Sequence, residues 1–465
     1  MRGQGHEEGC GMTGVPAGGG LGWLGILRLG LVQTALGAIV VLTTSAINRV
    51  MVVELALPAT LPGVLVAVHY AVQMLRPRMG YGSDMGGRRT PWIVGGMAVL
   101  AVGGVLAACA TALMEHAQAA GLALSLAAFL LIGLGVGAAG TSLLVLLASV
   151  VAERRRPAAA SIVWIMMIAG FVVTTAITGR LLDPYSGPRL ITVSAGVSCL
   201  AFALALLAVW GIERRHAVPV AARAQADGGA PRTPFRQALA EVWAERDARR
   251  FTVFVFLSML AYSAQDLVLE PFAGQVFGMT LGETTRLASL QHGGVLAGMV
   301  VIALVGSVAS GTRFGSMRAW TVGGCIAASA AVLMLTVAAR VGEAYPLRLS
   351  YFALGLANGV FAAAAIASMM LMVGRGRERR EGVRMGLWGA AQAIAFGIGS
   401  LAGAMALDAA RAVLGDPAAA YGAVFIGDAV LFLAAAWLAV GIGASPQAKP
   451  RGYQGFPPAR PAVGG

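Results

Sequence analysis

Twelve apolar runs, each about 20 residues or longer, follow one another along the chain. A helix needs about 20 mostly apolar residues to cross the hydrocarbon core of a bilayer. Runs of this length exceed a barrel strand and lack its alternation. They therefore predict an all-α membrane protein with twelve transmembrane helices. Within a few residues, these lie at 30–53, 58–79, 92–114, 121–150, 160–182, 190–212, 251–277, 284–309, 319–340, 346–373, 383–407 and 418–444.

The composition supports lipid as the main solvent. Charged residues make up 12% of the chain and hydrophobic residues 58%, with a mean hydropathy of +0.77. A soluble domain carries about 25% charged residues, so this chain has too little polar surface to face water. The 64 glycines allow helices to approach closely where no hydrophobic effect drives them together.

The basic residues predict the orientation in the membrane. The formal net charge is +13, and every basic residue except Lys449 is arginine. Most lie in the two tails and in the loops on the same side, including Arg154, Arg155 and Arg156. The positive-inside rule then places both termini in the cytoplasm, in a multi-pass protein of the cytoplasmic membrane. Headgroup-facing loops explain the charge without nucleic acid. The opposite side holds Arg180, Arg189, Arg286, Arg340, Arg348 and Arg411.

The two halves of the chain resemble each other. Gly133 and Gly355 lie in similar glycine-rich stretches, 222 positions apart, and His69 and His292 are 223 apart. Six helices in each half give both halves the same topology, as a parallel repeat. The segment between them includes an amphipathic piece at Phe235–Arg250. The predicted domains are a disordered cytoplasmic tail (1–28), an N-terminal six-helix bundle (29–212), a cytoplasmic linker (213–250), a C-terminal six-helix bundle (251–444) and a second disordered cytoplasmic tail (445–465).

The loop after the second span carries a signature. Its glycines, aspartate and paired arginines resemble the signature loop of the major facilitator superfamily, which implies a fold of two pseudo-symmetric six-helix bundles and a role in conformational gating. Glycine permits a tight turn, and the aspartate can cap a helix or pair with an arginine. A capped turn without a role in motion is the alternative. The residues are Gly80, Asp84, Gly87, Arg88 and Arg89.

Two pairs of charged residues stand out in the first and seventh apolar runs. Arg49 and Glu54 lie towards the outer end of the first run, and Asp266 and Glu270 lie in the seventh. Ionisable groups inside a bilayer are costly and therefore point to function. Because the first and seventh spans of a two-half bundle face each other, Arg49 is expected near Asp266 or Glu270. The pair is either a stabilising ion pair or part of a proton- or substrate-coupled switch.

Polar side chains at matching places of the two halves predict a cavity for pigment or substrate. Imidazole can bind a metal or hydrogen-bond, and glycines beside His292 leave room for a flat ligand. A packing role is the alternative for each histidine. For Asp428, Asn358 and Gln392 the alternative is a hydrogen bond to a neighbouring backbone group. The candidates are His69, Gln73, His292, Gln291, Asn358 and Gln392.

Several longer stretches resemble one family. They are Leu21–Leu29, Leu42–Glu54, Val68–Pro77 and Tyr262–Gly274. They are similar to the PucC/LhaA family of major facilitator proteins in photosynthetic bacteria, over about residues 21–445. The resemblance implies assembly of light-harvesting complexes, with antenna polypeptides as partners and bacteriochlorophyll as cargo rather than as a covalently bound cofactor. His69 or His292 is then the expected ligand for the pigment magnesium.

Three functions remain open from the sequence. The first is this assembly factor, and the second is a proton-coupled transporter of a small solute, because fold does not fix function. The third is an enzyme of pigment synthesis. Prenyl transfer from a diphosphate needs clustered aspartates that hold magnesium ions, whereas the eight aspartates here are isolated. The sequence therefore favours a protein without catalytic activity.

Overall fold

A computed structural model describes residues 21–76, 88–152, 155–213, 240, 243–308, 316–342, 345–373 and 381–442. In this part of the chain, eleven helices are long and apolar enough to cross a membrane, and a shorter apolar helix, Thr60–Leu75, accompanies them. The predicted all-α, two-bundle membrane fold is confirmed.

The helices are numbered in chain order. The N-terminal half contains α1 (Trp23–Glu54), α2 (Thr60–Leu75), α3 (Thr90–Met114), α4 (Gln118–Val150), α5 (Arg156–Leu181) and α6 (Gly187–Val209). The C-terminal half contains α7 (Arg246–Phe277), α8 (Leu281–Val308), α9 (Met317–Val341), α10 (Leu347–Val373), α11 (Glu381–Leu414) and α12 (Pro417–Val440).

Helices α1 and α7 begin well before the predicted spans. Helix α1 starts at Trp23, inside the predicted tail 1–28, because its first turns have partners: Arg28 donates hydrogen bonds to the carbonyls of Leu207 and Trp210 at 3.1 and 2.9 Å. Helix α7 starts at Arg246, so the end of the predicted amphipathic piece Phe235–Arg250 belongs to the seventh span. Residues 235–239, 241 and 242 of that piece lie outside the described residues.

The halves meet along three helix pairs. Helix α1 packs against α7, α2 against α11, and α5 against α8. We call the side of the bundle with Trp23 and Ile442 the terminal face, and the opposite side, with the end of α1 and the start of α8, the far face. Each of the three pairs joins one helix from each half, so relative motion of the halves must occur along these contacts.

The repeat seen in the sequence is also a repeat in packing. A Cβ atom added to Gly133 of α4 would lie 2.7 Å from the carbonyl oxygen of His69 on α2. A Cβ atom added to Gly355 of α10 would overlap the carbonyl oxygen of Gln291 on α8. Both glycines let two backbones touch, as small residues do in membrane interfaces. Gly133 corresponds to Gly355 and His69 corresponds to Gln291, so both pairs are related by an offset of 222 residues.

We predict that Gly355→Ala weakens the C-terminal bundle, because the added methyl group meets backbone rather than a movable side chain. Overpacking of this kind costs about 1–3 kcal/mol. Gly323→Ala on α9 is the matched control, since a Cβ atom there has nothing within 4 Å. Thermal unfolding of the purified proteins should show a lower midpoint for Gly355→Ala only. Equal midpoints for both variants would contradict the packing described here.

Candidate functional site

A hydrogen bond between the halves completes the backbone of α7. Pro271 lies inside this helix, and proline removes the donor for the carbonyl four residues earlier, which here is Leu267. The side-chain amide of Asn48 on α1 donates to that Leu267 carbonyl at 2.7 Å. An unsatisfied carbonyl is expensive in a membrane. Asn48 therefore supplies from the other half the bond that α7 cannot make itself.

Arg49 has other partners than the predicted Asp266 or Glu270. It is 2% exposed, forms an ion pair with Glu54, and donates to the carbonyl of Met279 at 2.6 Å. The stretch Val50–Glu54 is π-helical, and i→i+5 geometry brings residues five apart onto one face. This widened turn was not predictable from the apolar run, and it brings Glu54 to Arg49.

Glu270 instead contacts a hydroxyl group of the other half. Ser45 on α1 donates a hydrogen bond to its Oε1 atom, and Glu270 is 3% exposed. Asp266 lies one turn earlier on the same face of α7. Both carboxylates reach the interface between the halves, as the sequence predicted, although their partners differ from the expected ones.

These two acids line a small cavity at that interface. Its volume is about 30 Å³, close to the share of one water molecule in the liquid. Helices α1 and α5 form one wall, and α7, α8 and α10 form the other. In this state the cavity has no room for a tetrapyrrole. Its polar lining consists of Thr44, Ser45, Asp266, Glu270, Gln291, His292 and Tyr351.

The two predicted histidines lie in different environments. His292 lines the cavity, and its ring packs edge-on against Phe171 of the other half at 5.1 Å. His69 is buried elsewhere and bonds to Gln73 through Nε2 at 2.8 Å. The structural repeat makes Gln291, and not His292, the equivalent of His69. His292 is the next residue, so its side chain is rotated by about 100° around the helix from the equivalent position. The two imidazoles therefore have different orientations.

The other predicted cavity residues lie outside this cavity. Gln73 also accepts a hydrogen bond from Arg76, and Gln392 approaches the sulfur of Met259 at 3.8 Å. Asn358 is fully buried in α10, and neither atom of its amide has a hydrogen-bond partner. A role for these residues in binding stays a prediction.

An aromatic group also joins the halves beside Asp266. Tyr70 of α2 and Tyr262 of α7 contact Phe396 of α11, with ring centroids 5.3 and 5.9 Å apart. Both tyrosines lie close enough to Asp266 to interact with it electrostatically. Neither Tyr262 nor Phe396 was assigned a role from the sequence. Tyr262 begins the stretch Tyr262–Gly274 that resembles the PucC/LhaA family, and Phe396 lies in the eleventh apolar run.

Two aspartates join the halves at the far face. Asp408 of α11 accepts hydrogen bonds from the backbone N–H groups of Ala59 and Thr60 at 2.9 and 2.6 Å, and from the Thr60 hydroxyl at 2.6 Å. Asp183, which follows α5, accepts from the Thr280 hydroxyl at 3.0 Å. The two sites correspond approximately under the repeat. We call them the far-face latches. Neither Asp408 nor Asp183 was predicted from the sequence as a contact between the halves.

The signature loop is described only at its end. Gly80, Asp84 and Gly87 lie outside the described residues. The N–H groups of Arg89 and Thr90 donate to the carboxylate of Glu213 at 2.6 and 2.8 Å. Burial raises the pKa of Glu213, but these bonds and one from the Thr90 hydroxyl hold its pKa below the ordinary value. The loop is thus anchored to the end of α6, and its role in gating stays a prediction.

We predict that Asp408→Ala loosens the far face. Loss of an N-cap costs about 1 kcal/mol, which corresponds to about a fivefold shift in a two-state population. Asp416→Ala is the control, because Asp416 caps its own helix at Ala419 (2.8 Å) and makes no contact between the halves there. Thr44→Cys, introduced into a chain without its four native cysteines, serves as the reporter. The measurement is the rate at which an impermeant thiol reagent labels it from the far face, and this rate should rise in Asp408→Ala. An equal labelling rate in both variants would contradict a latch.

Comparisons of the sequence find relatives along nearly the whole chain. A family model described as PUCC protein matches residues 46–446. The chain is 53% identical over 427 residues to the bacteriochlorophyll synthase 44.5 kDa chain of Rhodobacter capsulatus, covering 91% of this chain and 96% of that protein. It is 31% identical over 394 residues to Protein PucC of the same organism, covering 81% and 82%.

Comparisons of the structure identify carriers with the same fold. A bacterial homologue of the human lysosomal transporter Spinster, in an inward-facing and unoccupied conformation, matches with a TM-score of 0.66 at 15% identity, over 90% of this chain and 95% of that one. The nucleoside transporter NupG matches with a TM-score of 0.63 at 13% identity, over 90% and 100%. At these identities the likeness concerns the fold alone.

Proposed function

The chain belongs to the PUCC protein family, as the resemblance of its longer sequence stretches implied, and from this premise we propose that it assists the assembly of bacterial light-harvesting complexes. In this role it handles bacteriochlorophyll as cargo and delivers it to antenna polypeptides. The observation that carries the proposal is the match over residues 46–446 together with the 53% identical relative, whose name refers to bacteriochlorophyll.

The structure supports a carrier that must open before it can hold pigment. The cavity of about 30 Å³ between the halves is far too small for a macrocycle, while the far-face latches join the halves on one side only. Separation of the halves at the terminal face would widen the space beside His292. Its Nδ1 atom lies 2.8 Å from the Ala288 carbonyl, so in the neutral ring Nε2 keeps its lone pair for a pigment magnesium.

We propose the cytoplasmic membrane as the location, with the terminal face in the cytoplasm. The support is the arginine distribution, since positively charged loops remain on the cytoplasmic side. A protease site inserted between residues 214 and 239 tests this orientation. Cleavage is expected from the cytoplasmic side of sealed vesicles, and cleavage only from the other side would invert the proposed topology.

A role outside catalysis is also part of the proposal. The name of the 53% identical relative contains the word synthase. Within the described residues, no group of three or more His, Cys, Asp or Glu side chains could hold a metal ion. A prenyl-transfer assay with purified protein tests this point, and turnover that depends on Asp266 or Glu270 would overturn it.

The second candidate is a proton-coupled transporter of a small solute. It is favoured by the two carboxylates, Asp266 and Glu270, that line the cavity between the halves. A plain transporter should purify colourless and alone from pigmented membranes, whereas an assembly factor should retain pigment or antenna polypeptides. Absorbance spectroscopy of the purified protein therefore separates the two candidates.

We predict that protein purified from photosynthetically grown membranes retains bacteriochlorophyll, and that His292→Ala retains several-fold less. The imidazole would provide the ligand to magnesium, and alanine removes it. His116→Ala is the matched control, because His116 lies in an exposed turn after α3. Absorbance per mole of protein is the measurement. Equal pigment in both variants would exclude His292 as the ligand, and a colourless wild-type protein without antenna polypeptides would contradict the proposed function itself.

A further inference from the structure

The interface between α1 and α7 contains more negative than positive charge. Asp266 and Glu270 line the cavity, and Glu54 lies nearby with Arg49. Arg49 is close enough to Glu270 to interact electrostatically, but its hydrogen bonds go to Glu54 and the Met279 carbonyl. The charge of Arg49 is thus directed mainly to Glu54 and the Met279 carbonyl, while Asp266 and Glu270 lie in surroundings where an uncompensated charge is very costly.

Oε2 of Glu270 is a buried polar atom on the cavity wall, and it has no hydrogen-bond partner among the described residues. Glu270 is 3% exposed, and a buried polar atom without a partner is rare and requires an explanation. This carboxylate oxygen calls for a donor or a cation. The neighbouring Gln291 amide cannot be that donor as well, because it already interacts with the Asp266 carboxylate.

From this geometry we propose that the cavity binds a single positive charge, either a proton or a sodium ion, shared between Asp266 and Glu270. A volume of about 30 Å³ admits a water-sized particle and excludes an organic cation. The ion neutralises one carboxylate, as two like charges one helical turn apart in low dielectric require. The site lies at the interface between the halves, and its occupancy does not depend on which cargo the protein carries.

Occupancy of this site controls how the halves hold together. Glu270 bonds to Ser45 across the interface, and three residues earlier in the chain Leu267 bonds to Asn48 across the same interface. With the positive charge bound, both contacts persist and α1 stays against α7. Without it, two uncompensated carboxylates on one face of α7 draw water into the interface with α1, and the hydrated interface is held less tightly.

The titratable and charged groups around the site come from five helices. Helix α7 contributes Tyr262 in addition to the two acids. Four other helices contribute one or two groups each, namely Arg49 and Glu54 from α1, Tyr70 from α2, His292 from α8 and Tyr351 from α10.

Infrared difference spectroscopy on pigment-free protein in lipid vesicles tests the proposal. In one arm the pH is stepped without sodium, and in the other sodium is exchanged for choline at fixed pH. A bound proton gives a carboxylic-acid band that disappears as the pH rises. A bound sodium ion gives a carboxylate shift in the exchange arm. In either case Glu270→Gln and Asp266→Asn should lose at least half of the signal.

Two further variants keep the test decisive. Glu283→Gln makes the same chemical change outside the cavity, where the Glu283 carboxylate accepts a hydrogen bond from the nearby Thr280 N–H, and it should preserve the wild-type spectrum. Ser45→Ala keeps both acids and should move the band rather than remove it, because Glu270 loses its donor. The proposal is overturned if wild-type protein gives no signal in either arm, or if Glu270→Gln and Asp266→Asn leave the signal intact. Retention of pigment plays no part in this readout, so a failure here is distinct from a failure of the proposed function.

Discussion

Helix α7 contains a proline and depends on its neighbour for a hydrogen bond, and much of the interface between the halves follows from that. Because Pro271 cannot donate, the Leu267 carbonyl would be left unsatisfied inside the membrane without the amide of Asn48. This bond fixes the rotation of α7 against α1. The same rotation directs Asp266 and Glu270, which lie on one face of α7, towards the cavity. A backbone requirement thus determines where the acidic groups lie.

Arg49 forms its hydrogen bonds with groups other than these acids. It lies against Gly274, where a Cβ atom would come within 3.1 Å of its Nη2 atom, and it bonds towards the far face. Its contact with the Met279 carbonyl joins the halves there, beside the far-face latches. Several hydrogen bonds between the halves therefore hold the far face, whereas Asp266 and Glu270 line the cavity in the middle of the interface.

Much of the fold was predictable from sequence because the physics of lipid is simple. Length and hydropathy alone indicate the helices, and the glycine repeat indicates two halves. The site was predictable only in part. Asp266 and Glu270 stand out as charges in apolar runs, but the partners of Arg49 depend on a π-helical turn that no apolar run reveals. The two histidines are 223 residues apart, whereas the structural repeat has an offset of 222, so His69 and His292 are not equivalent positions. Only the packing of Gly133 and Gly355 shows which offset is the structural one.

The far-face latches have a consequence for how the protein changes shape. Asp408 and Asp183 reach across the interface in opposite directions, one from each half, and each holds the start of a helix in the other half. Rotation of one half against the other would therefore strain both sets of bonds. Opening of this face requires the loss of both latches, so an intact latch on one side resists the motion that the other has already released.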